Sequence, residues 1–374
     1  MADVLASGML VQGPRVAEFE ASVARYLHGL SRDANESFQC VAVANGTVAL
    51  ELAVATTALQ GGTGVSNCDE VIVPALTWPS PGHAVILRGA TPVLVDIDPH
   101  TWCLDATAVP RLVTSRTVAI IAIDQFGVPA DLPSLMNLSA ELDLIEDAAC
   151  AIGSSLHGVP CGLLGDVATY SFHPRKVITT GEGGMLVTRD ENRAMLLRTL
   201  RNHGQASPGM FHGAGPNARL SEMQAAIGVV QMKKLDEILK RRSAFAEEIR
   251  AAVPLAWQSA PDGAVVNHQT LGFVLPTPDA GVHAGDRRAA RDALIAALRE
   301  SGIEAGILSY ALHRLPQFAA YAVNAARRFP VADAVVDGGV AIPLHPGMAS
   351  TDLHTVIDGL REHAGWAFQK TVAA

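Results

Sequence analysis

The 374-residue sequence lacks an excess of basic residues. Its 28 lysines and arginines stand against 37 aspartates and glutamates, a formal charge of −9. Binding to a phosphate backbone requires a basic face, so this balance argues against a nucleic-acid partner. The sequence also lacks an apolar run near the roughly 20 residues that span a bilayer, and its N-terminus lacks the layout of a signal peptide. We therefore expect no membrane association and a cytoplasmic location.

The cysteines and histidines lack metal-binding spacing. The five cysteines are scattered without a C-x-x-C pair, which excludes a zinc cage of that type and favours a reducing compartment. The thirteen histidines include no H-E-x-x-H motif, so we predict no metal. Aromatic residues are few, at 5%, whereas hydrophobic residues reach 49%, which is typical of an Ala/Val/Leu-rich globular enzyme. A chain of this length buries enough surface to fold without a disulfide or a structural metal.

Short apolar runs alternate with helical patterns in the first two thirds of the chain. Because runs that are apolar on both faces are typical of buried parallel strands, they predict an α/β fold with a mostly parallel sheet flanked by helices. Helical spacing is found at 13–27 and 45–59, and 221–253 is interpreted as one long helix opened by Ser221. The predicted strands are 71–76, 91–97, 117–124, 143–149, 167–172 and 183–188.

The pattern changes near Pro254. A strand at 270–277, a helix at 285–302, a strand at 303–310 and a helix at 350–365 follow, with a Pro/Gly/Asp-rich surface loop at 276–286. This order predicts a smaller C-terminal α+β domain. We therefore divide the chain into a large domain, 1–253, which includes the long connecting helix 221–253, and a small domain, 254–374.

Several candidate ligand-binding residues follow predicted strands or open a predicted helix. Gly46, Thr47 and Val48 begin a helix after an apolar run, where free N–H groups suit a phosphate. Trp78 follows one strand and can stack on a planar ligand, and Asp147 ends another, where a carboxylate needs a cationic partner. Taken singly, each residue is better explained by ordinary packing or capping.

Lys176 completes the set. It follows the strand that ends near Ser171 and precedes a glycine-rich turn, in the stretch SFHPRKVITTGEGG. Alone it reads as a surface lysine. Together with the other residues it fits pyridoxal 5′-phosphate: Thr47 and Ser171 for the phosphate, Trp78 for the ring, Asp147 for the ring nitrogen and Lys176 for the aldehyde.

Segments along most of the chain carry a family resemblance. They include ANGTVALELA (44–53), DEVIVPALTW (69–78), IEDAACAIGSS (145–155), GDVATYSFHPRKVITTGEGG (165–184) and GPNARLSEMQAAIGVVQ (215–231). With these the chain resembles the DegT/StrS-type sugar aminotransferases, which are fold type I pyridoxal-phosphate enzymes. The segment around Lys176 is the longest and most specific of them.

The resemblance implies roles for individual residues. It implies a Schiff base at Lys176, pairing of the ring nitrogen with Asp147, and stacking by Trp78. It also implies a homodimer with shared sites, in which phosphate contacts come from Gly46, Thr47, the Val48 backbone and Ser171, with Asn217 from the partner subunit. Cys150 stands where the family commonly has Gln or His near the ring hydroxyl, and a thiol is a weaker hydrogen-bonding partner.

The expected reaction is transfer of an amino group from glutamate or glutamine to a keto sugar nucleotide, giving an amino sugar through a pyridoxamine 5′-phosphate half-reaction. Tyr310, His313 and Arg219 are the candidates for substrate binding, although Tyr310 and His313 are equally well explained as a packed tyrosine and a surface histidine. Alternatives are an aminotransferase for a keto-cyclitol, a cofactor-binding regulator without turnover, and a sugar dehydratase. Dehydratases of this fold carry His at the lysine position, so Lys176 argues against that alternative.

Overall fold

The computed structural model describes residues 1–31, 37–57, 66–136, 138, 142–277, 285–322 and 328–367. The strands are β1 (Gln39–Val43), β2 (Glu70–Pro74), β3 (Leu76–Thr77), β4 (Thr91–Val95), β5 (Thr117–Ile123), β6 (Asp143–Asp147), β7 (Ser155–Leu156), β8 (Val159–Pro160), β9 (Val167–Ser171), β10 (Gly184–Thr188), β11 (Gln205–Ser207), β12 (Met210–Phe211), β13 (Ala264–Val265), β14 (Leu271–Val274), β15 (Gly306–Ile307), β16 (Tyr310–Ala311) and β17 (Gly339–Ile342). The helices are α1 (Ala2–Ser7), α2 (Pro14–Leu30), α3 (Gly46–Ala55), α4 (Ser80–Leu87), α5 (Leu132–Leu135), α6 (Glu191–Leu200), α7 (Glu222–Met232), α8 (Leu235–Ala252), α9 (Arg287–Glu300), α10 (Ala319–Ala322), α11 (Pro330–Gly338) and α12 (Ser350–Ala364).

A seven-stranded sheet forms the centre of the fold, in the order β1-β10-β9-β6-β5-β2-β4. Strand β10 is antiparallel to β1 and β9, and the other neighbouring pairs are parallel. The prediction of an α/β fold with a mostly parallel sheet is therefore confirmed. Because parallel strands end at the same edge of a sheet, the carboxyl ends of β6 and β9 lie at one edge, with Asp147 opposite Thr169. None of the helices that the structure describes is both long and apolar enough to cross a membrane.

Apolar side chains fill a layer on each face of this sheet, and a third cluster lies in the C-terminal part. Helices α2 and α7 cover one face, and α3, α4 and α6 cover the other. The packing crosses the predicted boundary at 253 in both directions. Ala246 and Ile249 of α8 belong to the third cluster, whereas Leu312 and Phe318 pack into the layer of the large sheet. The division into 1–253 and 254–374 stays a prediction.

The long helix predicted for 221–253 was wrong, because the structure contains two helices. Helix α7 ends at Met232 and α8 begins at Leu235. Exposed Lys233 and Lys234 form the turn between them. The break lets α7 pack against the first sheet face while α8 directs Ala246 and Ile249 toward the C-terminal cluster. Neither Gly nor Pro marks the turn, so the usual helix-breaking signals are absent.

The single strand predicted for 303–310 was also wrong. Its residues form two short strands in different sheets: β15 pairs with β17, and β16 pairs with β3. The second pairing places Tyr310 opposite Thr77, directly before Trp78. Pairing with a distant strand, rather than local pattern, sets these boundaries. The end of the helix predicted for 45–59 and most of the loop predicted for 276–286 lie outside the described residues.

Two buried carboxyl groups stabilise the strand ends near Asp147. Glu146 accepts hydrogen bonds from the backbone N–H groups of Gly162, Leu164 and Gly165, at 2.5, 2.8 and 3.1 Å. Asp124 is fully buried and accepts one from the N–H of Ala130 at 2.9 Å. Burial raises the pKa of Glu146 too, but these N–H donors lower it, so Glu146 holds a negative charge more readily than Asp124 does.

The proton of this cluster therefore belongs on Asp124. Burial, followed by the nearby charge of Glu146, raises the pKa of Asp124 well above its usual range. A carboxylate oxygen of Asp124, a carboxylate oxygen of Glu146 and the Sγ of Cys161 all lie within 4.8 Å of one another. The backbone N–H of Asp124 also donates to the carbonyl of Asp147 at 3.1 Å, so the cluster bears directly on the position of that residue.

We expect Asp124→Asn to change how stability depends on pH. An aspartate ordinarily releases its proton near pH 4, so above that pH the unfolded chain loses a proton that the folded chain retains, and wild-type stability falls as pH rises. The asparagine cannot titrate, so thermal unfolding midpoints measured between pH 5 and 8 should rise relative to wild type toward the alkaline end. The corresponding difference in the free energy of unfolding should grow by at most about 1.4 kcal/mol per pH unit. Exposed Asp358→Asn is the control, and identical pH profiles for Asp124→Asn and wild type would contradict the assignment.

Candidate active site

Lys176 lies in the loop that joins β9 to β10. The loop is closed by backbone hydrogen bonds, from Phe172 N–H to the Gly183 carbonyl at 2.8 Å and from Thr180 N–H to the Phe172 carbonyl at 3.0 Å. Gly184 is required where the loop ends, because a Cβ there would stand 2.4 Å from the carbonyl oxygen of Asn45. The glycine-rich turn thus lets the loop pass close to the start of α3, and the lysine is held at the strand-end edge of the sheet.

The side chain of Lys176 is directed toward Cys150. Its Nζ donates to Cys150 Sγ at 3.0 Å. The nearby charge of Lys176 also acts on Asp147: burial raises the pKa of the carboxyl, and Lys176 lowers it. Three residues from two different loops and a strand end therefore form one cluster.

Asp147 is the last residue of β6 and is 5% exposed. Its Oδ1 accepts hydrogen bonds from the Ala149 N–H at 3.1 Å and from the Thr169 hydroxyl at 3.4 Å. Thr169 is opposite Asp147 in the parallel register of β6 and β9. Two neutral donors on one oxygen do not replace the water lost by a buried carboxylate, so a cation bound beside it would stabilise the charge.

A group of small polar residues surrounds the start of α3. A Cβ on Gly46 would lie 2.7 Å from Cβ of Ser171, so the glycine is what allows the helix start to approach the end of β9. The hydroxyls of Thr47 and Ser80 are 2.8 Å apart. The helix N-terminus and these hydroxyls give the donors and the partial positive charge that suit a phosphate. Ser80 was not predicted, although a serine after Trp78-Pro79 that opens a helix was a usable signal.

The Val48 N–H, predicted to contact the phosphate, already donates a hydrogen bond within the chain. The N–H of Val48 donates to the Asn45 side chain at 2.9 Å, as is usual for an asparagine that caps a helix. A phosphate at this place would share that donor or use the preceding N–H groups. Its contact with Val48 stays a prediction.

Trp78 stands at the rim of the site, 54% exposed. The ring of Tyr310 meets it edge-on with centroids 5.5 Å apart, so the structure brings these two predicted residues together. The Arg175 guanidinium lies over the indole, 5.6 Å from its centroid. Arg175 was missed by the sequence analysis, although it directly precedes the candidate lysine.

His313 is engaged elsewhere. Its imidazole makes a 2.9 Å contact with Asp333 of α11 and stacks on Phe329 with centroids 4.5 Å apart. The side chain is 12% exposed. This is a packed histidine rather than the surface residue that the sequence analysis considered, and its place beside the substrate stays a prediction.

Asn217 and Arg219 lie on a segment beside the end of β1. The Ala44 N–H donates to the Ala218 carbonyl at 2.8 Å, which brings this segment next to the start of α3. Arg219 Nη1 donates to the Asn202 side chain at 2.5 Å. Asn217 is exposed on the single chain. Neither residue touches the Lys176–Asp147 cluster in the contacts that the structure describes.

The residues present fit pyridoxal phosphate. The site has a primary amine, a buried carboxyl lacking a full set of partners, an exposed indole and a hydroxyl-rich helix start, at one edge of one sheet. These are the groups that the aldehyde, ring nitrogen, ring face and phosphate of this cofactor require.

Comparisons with known proteins agree with this fit. A GDP-perosamine synthase of Caulobacter vibrioides is 34% identical over 362 residues, covering 93% of this chain and 90% of that protein. A dTDP-4-dehydro-2,3,6-trideoxy-D-glucose 4-aminotransferase of Saccharopolyspora spinosa is 31% identical over 379 residues, covering 96% and 91%. Among solved structures, the aminotransferase TlmJ of Streptoalloteichus hindustanus matches with a TM-score of 0.84 and 29% identity, covering 97% of this chain and 94% of that one.

The family model of the DegT/DnrJ/EryC1/StrS aminotransferases matches residues 1–361, nearly the whole chain. The Saccharopolyspora spinosa relative is a sugar-nucleotide 4-aminotransferase by name, and the fold is that of the matched aminotransferase structure. The chain therefore belongs to the DegT/DnrJ/EryC1/StrS aminotransferase family.

Proposed function

We propose that this aminotransferase moves an amino group from glutamate or glutamine to the ketone of a nucleoside diphosphate sugar, and that it acts as a homodimer in the cytoplasm. The observation that carries the proposal is the buried Asp147 carboxyl next to Lys176 at the strand-end edge of the sheet. The names of the relatives, one giving a GDP-sugar as product and the other a dTDP-sugar as substrate, support the choice of acceptor. No observation favours a keto-cyclitol.

Bound pyridoxal phosphate would supply an aldehyde that condenses with amines and a ring that withdraws electrons from the adjacent carbon. Lys176 Nζ would hold the cofactor and, once released, carry a proton between cofactor and substrate carbons. The hydrogen bond to Cys150 Sγ at 3.0 Å holds the Lys176 amine in place when it is not bonded to the cofactor. General acid–base help of this kind typically contributes about 10²–10⁴-fold to the rate.

Asp147 would keep the ring nitrogen protonated. The carboxyl is buried and accepts two neutral donors from the described part of the chain, so an N–H⁺ in the ring would be its strongest partner. Trp78 would cover the ring, and Thr47, Ser80 and Ser171 would receive the phosphate at the start of α3. These contacts hold the cofactor in one orientation against Lys176.

Asn217 is proposed to complete the site of the partner subunit. It is exposed on the single chain, on a segment next to the start of α3, where the phosphate would bind. A two-fold dimer that exchanges this asparagine would build each site from both chains.

We expect Lys176→Ala to abolish covalent attachment of the cofactor and amino transfer, while the fold is kept. After incubation with pyridoxal phosphate and reduction with borohydride, mass spectrometry of wild type should find the cofactor on the peptide that contains Lys176. Transfer from glutamate, measured as 2-oxoglutarate, should fall to background in the variant. Lys240→Ala, at an exposed position of α8, is the matched control and should behave as wild type. A Lys176→Ala protein that still transfers amine at the wild-type rate would refute the assignment.

Shared sites predict recovery of activity in a mixed dimer. Lys176→Ala and Asn217→Ala chains, each impaired alone, should regain activity when they are co-expressed. In the mixed dimer one site carries both defects and the other carries neither, so up to half of the wild-type activity per dimer should return. Absence of recovery, with the mixed dimer demonstrated by mass spectrometry, would mean that each site is built from one chain.

A further inference from the structure

Arg175 stands at the rim of the site, next to the residue proposed to hold the cofactor. Its side chain is exposed, and its guanidinium lies over the exposed ring of Trp78. Tyr310 packs edge-on against the same indole. A cation above an indole ring is attracted to it, typically by about 0.5–1 kcal/mol at exposed sites. Arg175 is therefore held over the exposed face of Trp78.

The backbone of Arg175 is fixed on both sides. Its N–H donates to His173 Nδ1 at 3.2 Å, and its carbonyl accepts from Gln269 Nε2 at 2.8 Å. The N–H of Gln269 in turn donates to Asn267, whose side-chain amide donates to the Cys150 carbonyl at 2.8 Å. The position of Arg175 is thus tied to the residue that contacts Lys176 Nζ.

The guanidinium has no acidic partner within the ranges that the structure describes. The Oε1 of Glu182, the acidic residue of the same loop, lies 3.9 Å from the Nε2 of His173, so Glu182 is directed to His173 rather than to Arg175. Other arginines of this region are occupied: Arg219 donates to Asn202, and Arg314 pairs with Asp337. In a chain with a formal charge of −9, a dianionic substrate is repelled overall and needs a local cation.

We propose that Arg175 binds the diphosphate of the nucleotide-sugar substrate, an inference that rests on the proposed function. A guanidinium presents paired N–H donors that match phosphate oxygens. The donor carboxylate is a poorer fit, because it is bonded to the carbon that loses its proton at Lys176 and must enter the site. The diphosphate is separated from the reacting ketone carbon by the sugar ring, which leaves it at the rim, where Arg175 lies.

The test measures binding of GDP and dTDP to the cofactor-loaded protein by calorimetry. Arg175→Gln should weaken binding of the preferred nucleotide by about tenfold or more, because a charge-assisted pair is lost. Arg175→Lys should recover part of the affinity, since it restores the charge but not the paired donors. Arg25→Gln, which removes the same charge from an exposed position on α2, should bind as wild type. Nucleotide affinity that is equal in wild type and Arg175→Gln, or absent from wild type, would overturn the proposal.

Kinetics separate the diphosphate from the donor carboxylate. In Arg175→Gln the factor lost in nucleotide affinity should exceed any rise in the KM for glutamate. A rise in that KM with nucleotide affinity unchanged would assign Arg175 to the donor and overturn the inference. If wild type transfers no amine from glutamate or glutamine, the proposed function fails, whereas the calorimetry still decides the role of Arg175.

Discussion

A carboxyl group buried at the end of a central strand is the constraint on which the site depends. Asp147 is 5% exposed and accepts two neutral hydrogen bonds, which leaves most of the lost hydration uncompensated. Burial raises its pKa and the charge of Lys176 opposes that shift. Such a group is stable as an anion only beside a cation, and the rest of the edge is arranged so that one can be bound there.

The sheet supplies the rigidity that this arrangement needs. The parallel register sets Thr169 beside Asp147, and the N–H of Asp124 donates to the Asp147 carbonyl. Glu146, the preceding residue of β6, accepts hydrogen bonds from three backbone N–H groups of the 162–165 turn. These bonds hold β6 from the face opposite to that of Asp147. Because these contacts are buried, small displacements of the carboxyl are resisted by the core rather than by the loops.

The sequence was informative where local pattern decides the structure. Continuous apolar runs predicted the central strands, and their ends singled out Asp147 and Lys176, whereas Cys150 came from the family resemblance. It was uninformative where distant packing decides. The turn at Lys233–Lys234 carries no helix breaker, and the separation of β15 from β16 depends on pairing with Thr77. The partners of His313 and the position of Arg175 over Trp78 are likewise tertiary contacts between residues far apart in the chain.

The central claim, that Asp147 keeps the cofactor ring charged, can be measured directly. Pyridoxal phosphate labelled at the ring nitrogen would be bound to wild type and to Asp147→Asn, and the nitrogen resonance recorded at neutral pH. The account predicts a protonated nitrogen in wild type and an unprotonated nitrogen in the variant, because the neutral amide removes the charge that holds the proton. The same protonation state in both proteins would contradict it.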